Sequence, residues 1–173
     1  MAPVDLEEER RRHREAAASF LAAARAVPAD RWNVPIRPGA WSPAQVAEHL
    51  RLSCQTLGGE LEGRPGLRVR TSWWQRALLR FKFLGAILDH GKIPAGARAP
   101  RELVPGPGPF DRETVLADLE DAANRCEAAV AARWHDRTAG ATHHVFGHLV
   151  PSQLIRFSSV HFVHHSAQIQ THG

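Results

Sequence analysis

An all-α fold, a four-helix bundle with long loops, is what this chain predicts. Three observations point there. Apolar residues recur at helical spacing in four long segments and one shorter or broken one. Ala and Leu outnumber Val, Ile and Thr, and Tyr is absent, a balance that favours helix. No segment shows a convincing strand alternation. The 173 residues suit one domain over 1–173, long enough to bury a real core. A hydrophobic content of 43% excludes wholesale disorder.

The first helix is expected from about Leu6 to Val27, with Phe20, Leu21 and Ala24 on its inner side and Pro28 ending it. Trp32 to Gly39 is expected to be extended, because Pro35 and Pro38 discourage helix at the residue before each. The second helix has the clearest start. Ser42 is an N-cap, Pro43 the first helical residue, and Gln45 completes a capping box. Trp41 before the cap can pack on Val46 as a hydrophobic staple. That cap fixes the helix phase. Val46, His49, Leu50, Ser53 and Leu57 share one stripe, so His49 is expected to face inward. Gly58-Gly59 weakens the far end, although the helix can continue to Leu61.

A third helix is expected from Ser72 to Asp89. Trp73, Trp74, Ala77, Leu78, Phe81, Leu84, Ile87 and Leu88 give it a wide apolar face, and Gly91 is placed to end it. Prolines and glycines crowd Lys92 to Phe110, which reads as a long irregular loop. Asp111 caps the fourth helix, with Leu116, Leu119, Ala123, Cys126 and Val130 as its core stripe. A second loop, Asp136 to Leu149, carries His143, His144 and His148. The last helix begins near Pro151 and runs almost to the end.

Several function classes recede at this level. No apolar stretch of about 18 residues is present, so no membrane span is expected. Arg10 to Arg14 before Ala16 to Ala24 faintly resembles a leader. Glu15 interrupts it and Arg25 closes it, so the segment reads as the first helix of an intracellular, cytoplasmic protein. Cys54 and Cys126 form no CxxC pair and read as free thiols. A net charge of +4 is weak information about partners. Arg68, Arg70, Arg76, Arg80 and Lys82 put basic residues on and before the third helix. A solvated face explains them more simply than a membrane or nucleic-acid contact, and no nucleic-acid motif is present.

The last helix carries His161-Phe162-Val163-His164-His165, then Gln168. Residues four apart share a helix face, so His161 and His165 can aim two imidazoles at one spot. His49, phased inward by its cap, can complete a three-histidine set. His164 is an alternative to His165 through an i, i+3 pairing with His161. Two readings stand side by side: core histidines bonded to backbone or carboxylates, and ligands of a metal. Neutral imidazole suits Zn, Ni, Cu and Fe, and a metal removes the cost of burying unpartnered rings.

Trp41-Ser42-Pro43-Ala44-Gln45-Val46-Ala47-Glu48-His49-Leu50 resembles the second-helix signature of the DinB/YfiT-like superfamily of four-helix-bundle metalloproteins. That signature pairs a helix-two histidine with a C-terminal His-x3-His, closely followed by Gln. Thr142 to Leu149, followed by His161-x-x-His164-His165-x-x-Gln168, resembles one branch of the superfamily. That branch favours a His-Pro-x-Phe-Gly turn before the last helix, and here His144 stands where the proline would be. The resemblance covers nearly the whole chain. It implies a divalent metal (Zn, Ni or Fe) held by His49, His161 and His165, and favours His165 over His164. It does not imply one reaction. Some relatives are transferases using low-molecular-weight thiols such as bacillithiol or mycothiol, some are isomerases, and related bundles often form homodimers.

Three neutral histidines leave a metal its full charge and at least one open position. Such a site can acidify a bound water or bind a thiol as thiolate. The expectation is a metal-dependent enzyme, a thiol-dependent transferase or a hydrolase. The alternative is a non-catalytic metal- or ligand-binding bundle. Gln168 is placed to orient a ligand from outside the coordination shell, and a helix-end hydrogen bond is its plainer role. His164 and His143 are expected near the pocket, or simply exposed. Cys54 reads as a small core residue before a ligand or nucleophile, and Cys126 as packing.

Overall fold

Side-chain caps set where the long helices begin. In a computed structural model that describes residues 4–94 and 98–170, Asp5 accepts from the Glu8 amide and starts α1, Leu6–Ala26. Ser42 and Gln45 form the expected capping box at the head of α2, Pro43–Leu61. Asp111 accepts from the Thr114 amide and starts α5, Arg112–Ala132. Each cap satisfies amide groups that the first helical turn leaves without intrahelical partners. The last helix, α6, spans Pro151–Gln170. Between α2 and α5 lies a broken helix: α3, Trp73–Leu79, a π-helical segment Arg80–Leu84, and α4, Gly85–His90.

Four helices make the bundle. α2 lies along α5 and α1 along α6, and lesser α1–α5, α2–α6 and α5–α6 contacts close the square. The core is apolar, with Phe20 and Phe162 fully buried among Leu50, Leu116, Leu119 and Leu154. Each such aromatic contributes roughly 1.5–3 kcal/mol through burial. Glu9 on α1 meets Arg156 on α6 at 2.8 Å. Glu127 on α5 accepts from Arg10 at 2.7 Å and Arg14 at 2.6 Å. Both carboxylates are buried and paired, as burial of charge requires.

The glycine pair in α2 does not end the helix, which runs to Leu61. A Cβ at Gly58 would meet the Cys126 backbone at 3.0 Å, so Gly58 lets α2 approach α5 closely. The glycine is there for packing.

Three local expectations need correction. Trp32 to Gly39 is not extended: a 3-10 turn at Ala29–Arg31 leads into turns and bends. Backbone bonds from Val34 to the Arg31 carbonyl at 3.1 Å and from Ala40 to the Arg37 carbonyl at 3.0 Å turn the segment, and the Trp32 indole and Asn33 amide tie it to the Phe110 carbonyl at 3.0 and 3.1 Å. The wide apolar face of the third helix is only partly buried. Trp73 is 76% and Phe81 89% exposed, whereas Leu84 and Ile87 are buried. The segment stands outside the four-helix square and meets α6 mainly through α4. Its π-helical stretch, Arg80–Leu84, takes more residues per turn than an α-helix, so one uniform stripe cannot persist.

The second loop contains the other surprise, a two-stranded hairpin. β1, Ala141–His143, pairs antiparallel with β2, Gly147–Leu149, with His143 opposite Gly147. Strands this short escape an alternation test. They are held from outside. Thr142 donates through its amide and hydroxyl to the two Glu60 carboxylate oxygens, each at 2.7 Å. Arg80 donates to the Phe146 and His148 carbonyls at 2.8 and 2.7 Å. Gly147 takes the left-handed conformation at φ 69° that closes the turn. The 92–110 loop carries a 3-10 turn at Arg101–Leu103, which delivers a carbonyl to the site described next. No described helix is long and apolar enough to cross a membrane.

Candidate metal centre

Helix α6 presents His161 and His165 one turn apart, and the phase set by Ser42 turns His49 of α2 toward them. The His161 Nε2 atom lies 3.1 Å from His49 Nε2 and 3.0 Å from His165 Nε2. All three ligand nitrogens lie within 4.8 Å of one another. Tetrahedral bonds of about 2.0–2.1 Å would place neighbouring nitrogens roughly 3.3 Å apart. The cluster is therefore close to the spacing needed to hold a metal ion.

The opposite ring nitrogens decide the chemistry of this cluster. His49 Nδ1 is 2.8 Å from the Leu103 carbonyl. A carbonyl only accepts, so Nδ1 carries the proton and Nε2 keeps its lone pair. His165 Nδ1 is 2.7 Å from Gln168 Oε1, and the Gln168 amide nitrogen donates to His164 Nε2 at 3.0 Å. With the amide oriented this way, His165 also has its proton on Nδ1 and a lone pair on Nε2. Both lone pairs face His161 Nε2. One hydrogen on that nitrogen can satisfy only one of them, leaving a lone pair against a lone pair. A cation at the point of convergence suits all three nitrogens at once.

Burial also works against placing a proton on this cluster. Burial, then the proximity of His49, lowers His165 to about 3. Burial, then His165 and His49, holds His161 well below the usual histidine range. Burial lowers His49 also, outweighing the opposing effect of its bond to Leu103. Three neutral imidazoles are the form that binds a transition metal.

The cluster opens onto a cavity of about 1110 Å³. Trp41, Val46, Leu79, Phe83, Ile87 and Phe157 supply much of its apolar wall. The Trp41 ring lies 4.9 Å from that of His49, so the residue expected as a staple also forms wall beside the site. His143, His164 and Gln168 line the same cavity. His143 is stacked on Phe146 at 4.8 Å and meets the edge of Phe157 at 4.7 Å.

Cys54 stays out of the cluster. It is buried beside Ser158, with Sγ 4.0 Å from the serine Oγ, and burial pushes its thiol up to about 12. Cys126 is likewise buried and free. Sequence reasoning missed the Leu103 carbonyl, since a backbone acceptor from a proline-rich loop leaves no side-chain signature. It also missed the cavity, whose walls come from distant segments.

The comparisons with known proteins agree with this fold. A solved structure described as the crystal structure of TT2238, a four-helix bundle protein, is similar with a TM-score of 0.61 and 23% identity. That match covers 96% of this chain and 99% of the other. No curated protein sequence matches. The family model of the DinB superfamily matches residues 12–169. The chain belongs to the DinB superfamily.

Proposed function

We propose that the protein binds a divalent metal through Nε2 of His49, His161 and His165 and uses it as a metal-dependent enzyme. The observation that carries this reading is the pair of outer hydrogen bonds. Leu103 and Gln168 hold the protons of His49 and His165 on Nδ1 and turn both lone pairs toward His161. Metal-ligating histidines usually have such partners, which orient the ring and raise its basicity.

A bound divalent ion would supply Lewis acidity and would favour deprotonation of a water or thiol. The protein's own residues do the rest. His49, His161 and His165 form one side of the site, and the cavity lies on the other, leaving room for a substrate. The largely apolar wall lowers the local dielectric and strengthens electrostatic interactions inside. A thiol-dependent transferase, with a low-molecular-weight thiol as co-substrate, and a hydrolase are the two reaction classes this arrangement serves.

The test is metal uptake. The purified protein, stripped with a chelator and reloaded, is expected to retain one equivalent of Zn, Ni or Fe. The His49→Ala and His165→Ala variants should lose it while keeping their helical circular dichroism. Full metal occupancy in both variants would defeat the assignment.

A further inference from the structure

Resting on that metal reading, we propose that the cavity takes an amphiphilic acid, with a carboxylate head at the metal and an apolar body along the cavity wall. Three observations converge on this class.

The first is charge. Three neutral imidazoles leave the charge of a divalent ion uncompensated. Among the described residues lining the cavity there is no Asp or Glu, while Arg37 and Arg98 are present. A low-dielectric site with a dication and no carboxylate of its own favours an anion from outside.

The second is a neutral donor. His143 Nδ1 accepts from the amides of Val145 and Phe146 at 3.2 and 3.3 Å. The hairpin turn therefore fixes the proton on Nε2, the nitrogen away from the turn. Among the described residues no hydrogen bond uses that N–H. The ring is one aromatic neighbour from the metal cluster, since Phe157 lies 4.7 Å from His143 and 5.8 Å from His161. A carboxylate head answers the charge at the metal with one oxygen and keeps a second as acceptor for a donor on the wall of the same cavity. An alcohol or amine head would leave the charge unanswered.

The third is the body of the cavity. Its volume of about 1110 Å³ far exceeds what a carboxylate head fills. Aliphatic and aromatic side chains form most of the remaining wall. Such a surface gains free energy by covering an alkyl or aryl chain. It offers little to a polyhydroxylated body, whose hydroxyls would lose water without partners.

The experiment loads the full-length protein with cobalt(II) and follows its visible absorption during titration with decanoate, acetate or decanol. Decanoate is expected to perturb the cobalt bands and to bind at least about a hundredfold tighter than acetate. Decanol should leave the bands unchanged. The His143→Asn variant keeps an acceptor for the hairpin amides and removes the Nε2–H. It should take up cobalt normally and bind decanoate about tenfold more weakly. Equal affinities for decanoate and acetate would overturn the proposal, as would decanoate binding that leaves the cobalt bands unmoved or is unaffected by His143→Asn. Failure to take up cobalt would defeat the metal assignment itself. Normal uptake with no response to decanoate would defeat only the ligand assignment.

Discussion

Gln168 Oε1 stands 2.7 Å from His165 Nδ1, while the amide nitrogen of the same side chain stands 3.0 Å from His164 Nε2. One amide thus ties together two neighbouring histidines and sets the tautomer of the one in the cluster. Removing it frees His165 to rotate or to move its proton to Nε2. The Gln168→Leu variant is expected to lose about 10- to 100-fold in metal affinity. Gln168→Glu, which keeps an acceptor for His165, should retain most of it. Competition against a chromophoric chelator measures both. Unchanged affinity in Gln168→Leu would assign Gln168 to the helix end alone.

The two glycines near the end of α2 should respond oppositely to a methyl group. At Gly58 the new Cβ would press on Cys126 Cα at 3.0 Å, whereas at Gly59 it would meet only the movable Arg64 side chain at 3.2 Å. Gly58→Ala is expected to destabilise by about 1–3 kcal/mol, since backbone must yield. Gly59→Ala should be neutral or stabilising by up to about 1 kcal/mol through helix propensity. Urea unfolding of the pair checks this. A stabilised Gly58→Ala would show that α2 and α5 are less tightly apposed.

Neither thiol is expected to react while the protein is folded. Cys54 is pushed up to about 12 by burial, and burial raises Cys126 well above the usual thiol range. The reactive species is the thiolate. A chromogenic disulfide reagent should label neither residue in native protein at pH 8 and both in denaturant. Cys54→Ala should leave metal content intact. Rapid native labelling, or metal loss in Cys54→Ala, would return Cys54 to the site.

Acid should weaken the metal-free fold in a defined window. Burial lowers His13 to about 4 from the ordinary 6.5, against a smaller opposing effect of Glu127. The ring packs edge-on to Phe162 at 5.7 Å, and Nε2 lies 3.1 Å from Ser158 Oγ. Below pH 6.5 the unfolded chain takes up a proton that the folded chain refuses. Stability therefore falls as pH falls from about 6.5 to about 4, by at most about 3 kcal/mol from this residue. His13→Leu should remove that share of the slope, whatever its effect on stability at pH 7. Parallel stability-versus-pH curves for the two proteins would contradict the assignment.

The grouping of the three candidate ligands was legible because helix phase is a local property. Ser42 and Gln45 fixed the face of α2, and that face carried His49; the i, i+4 spacing did the same for His161 and His165. The bundle followed from four apolar periodicities that needed no knowledge of one another. The sequence was silent where partners are distant or backbone. Leu103 contributes a carbonyl, which any residue would carry. The hairpin at 141–149 is pinned by Glu60 and Arg80 from elsewhere in the chain. The outward Trp73 and Phe81 had the same periodicity as core residues, because hydrophobic spacing does not say what covers a face.

Three Nε2 atoms converge on one point, and a crystal structure of metal-reloaded protein with anomalous data collected across the absorption edge of the loaded metal tests that centre most directly. The expected result is one anomalous peak about 2.0–2.1 Å from Nε2 of His49, His161 and His165, with a coordination position open to the cavity. A peak at other residues, or one closed off by a fourth protein ligand, would contradict it.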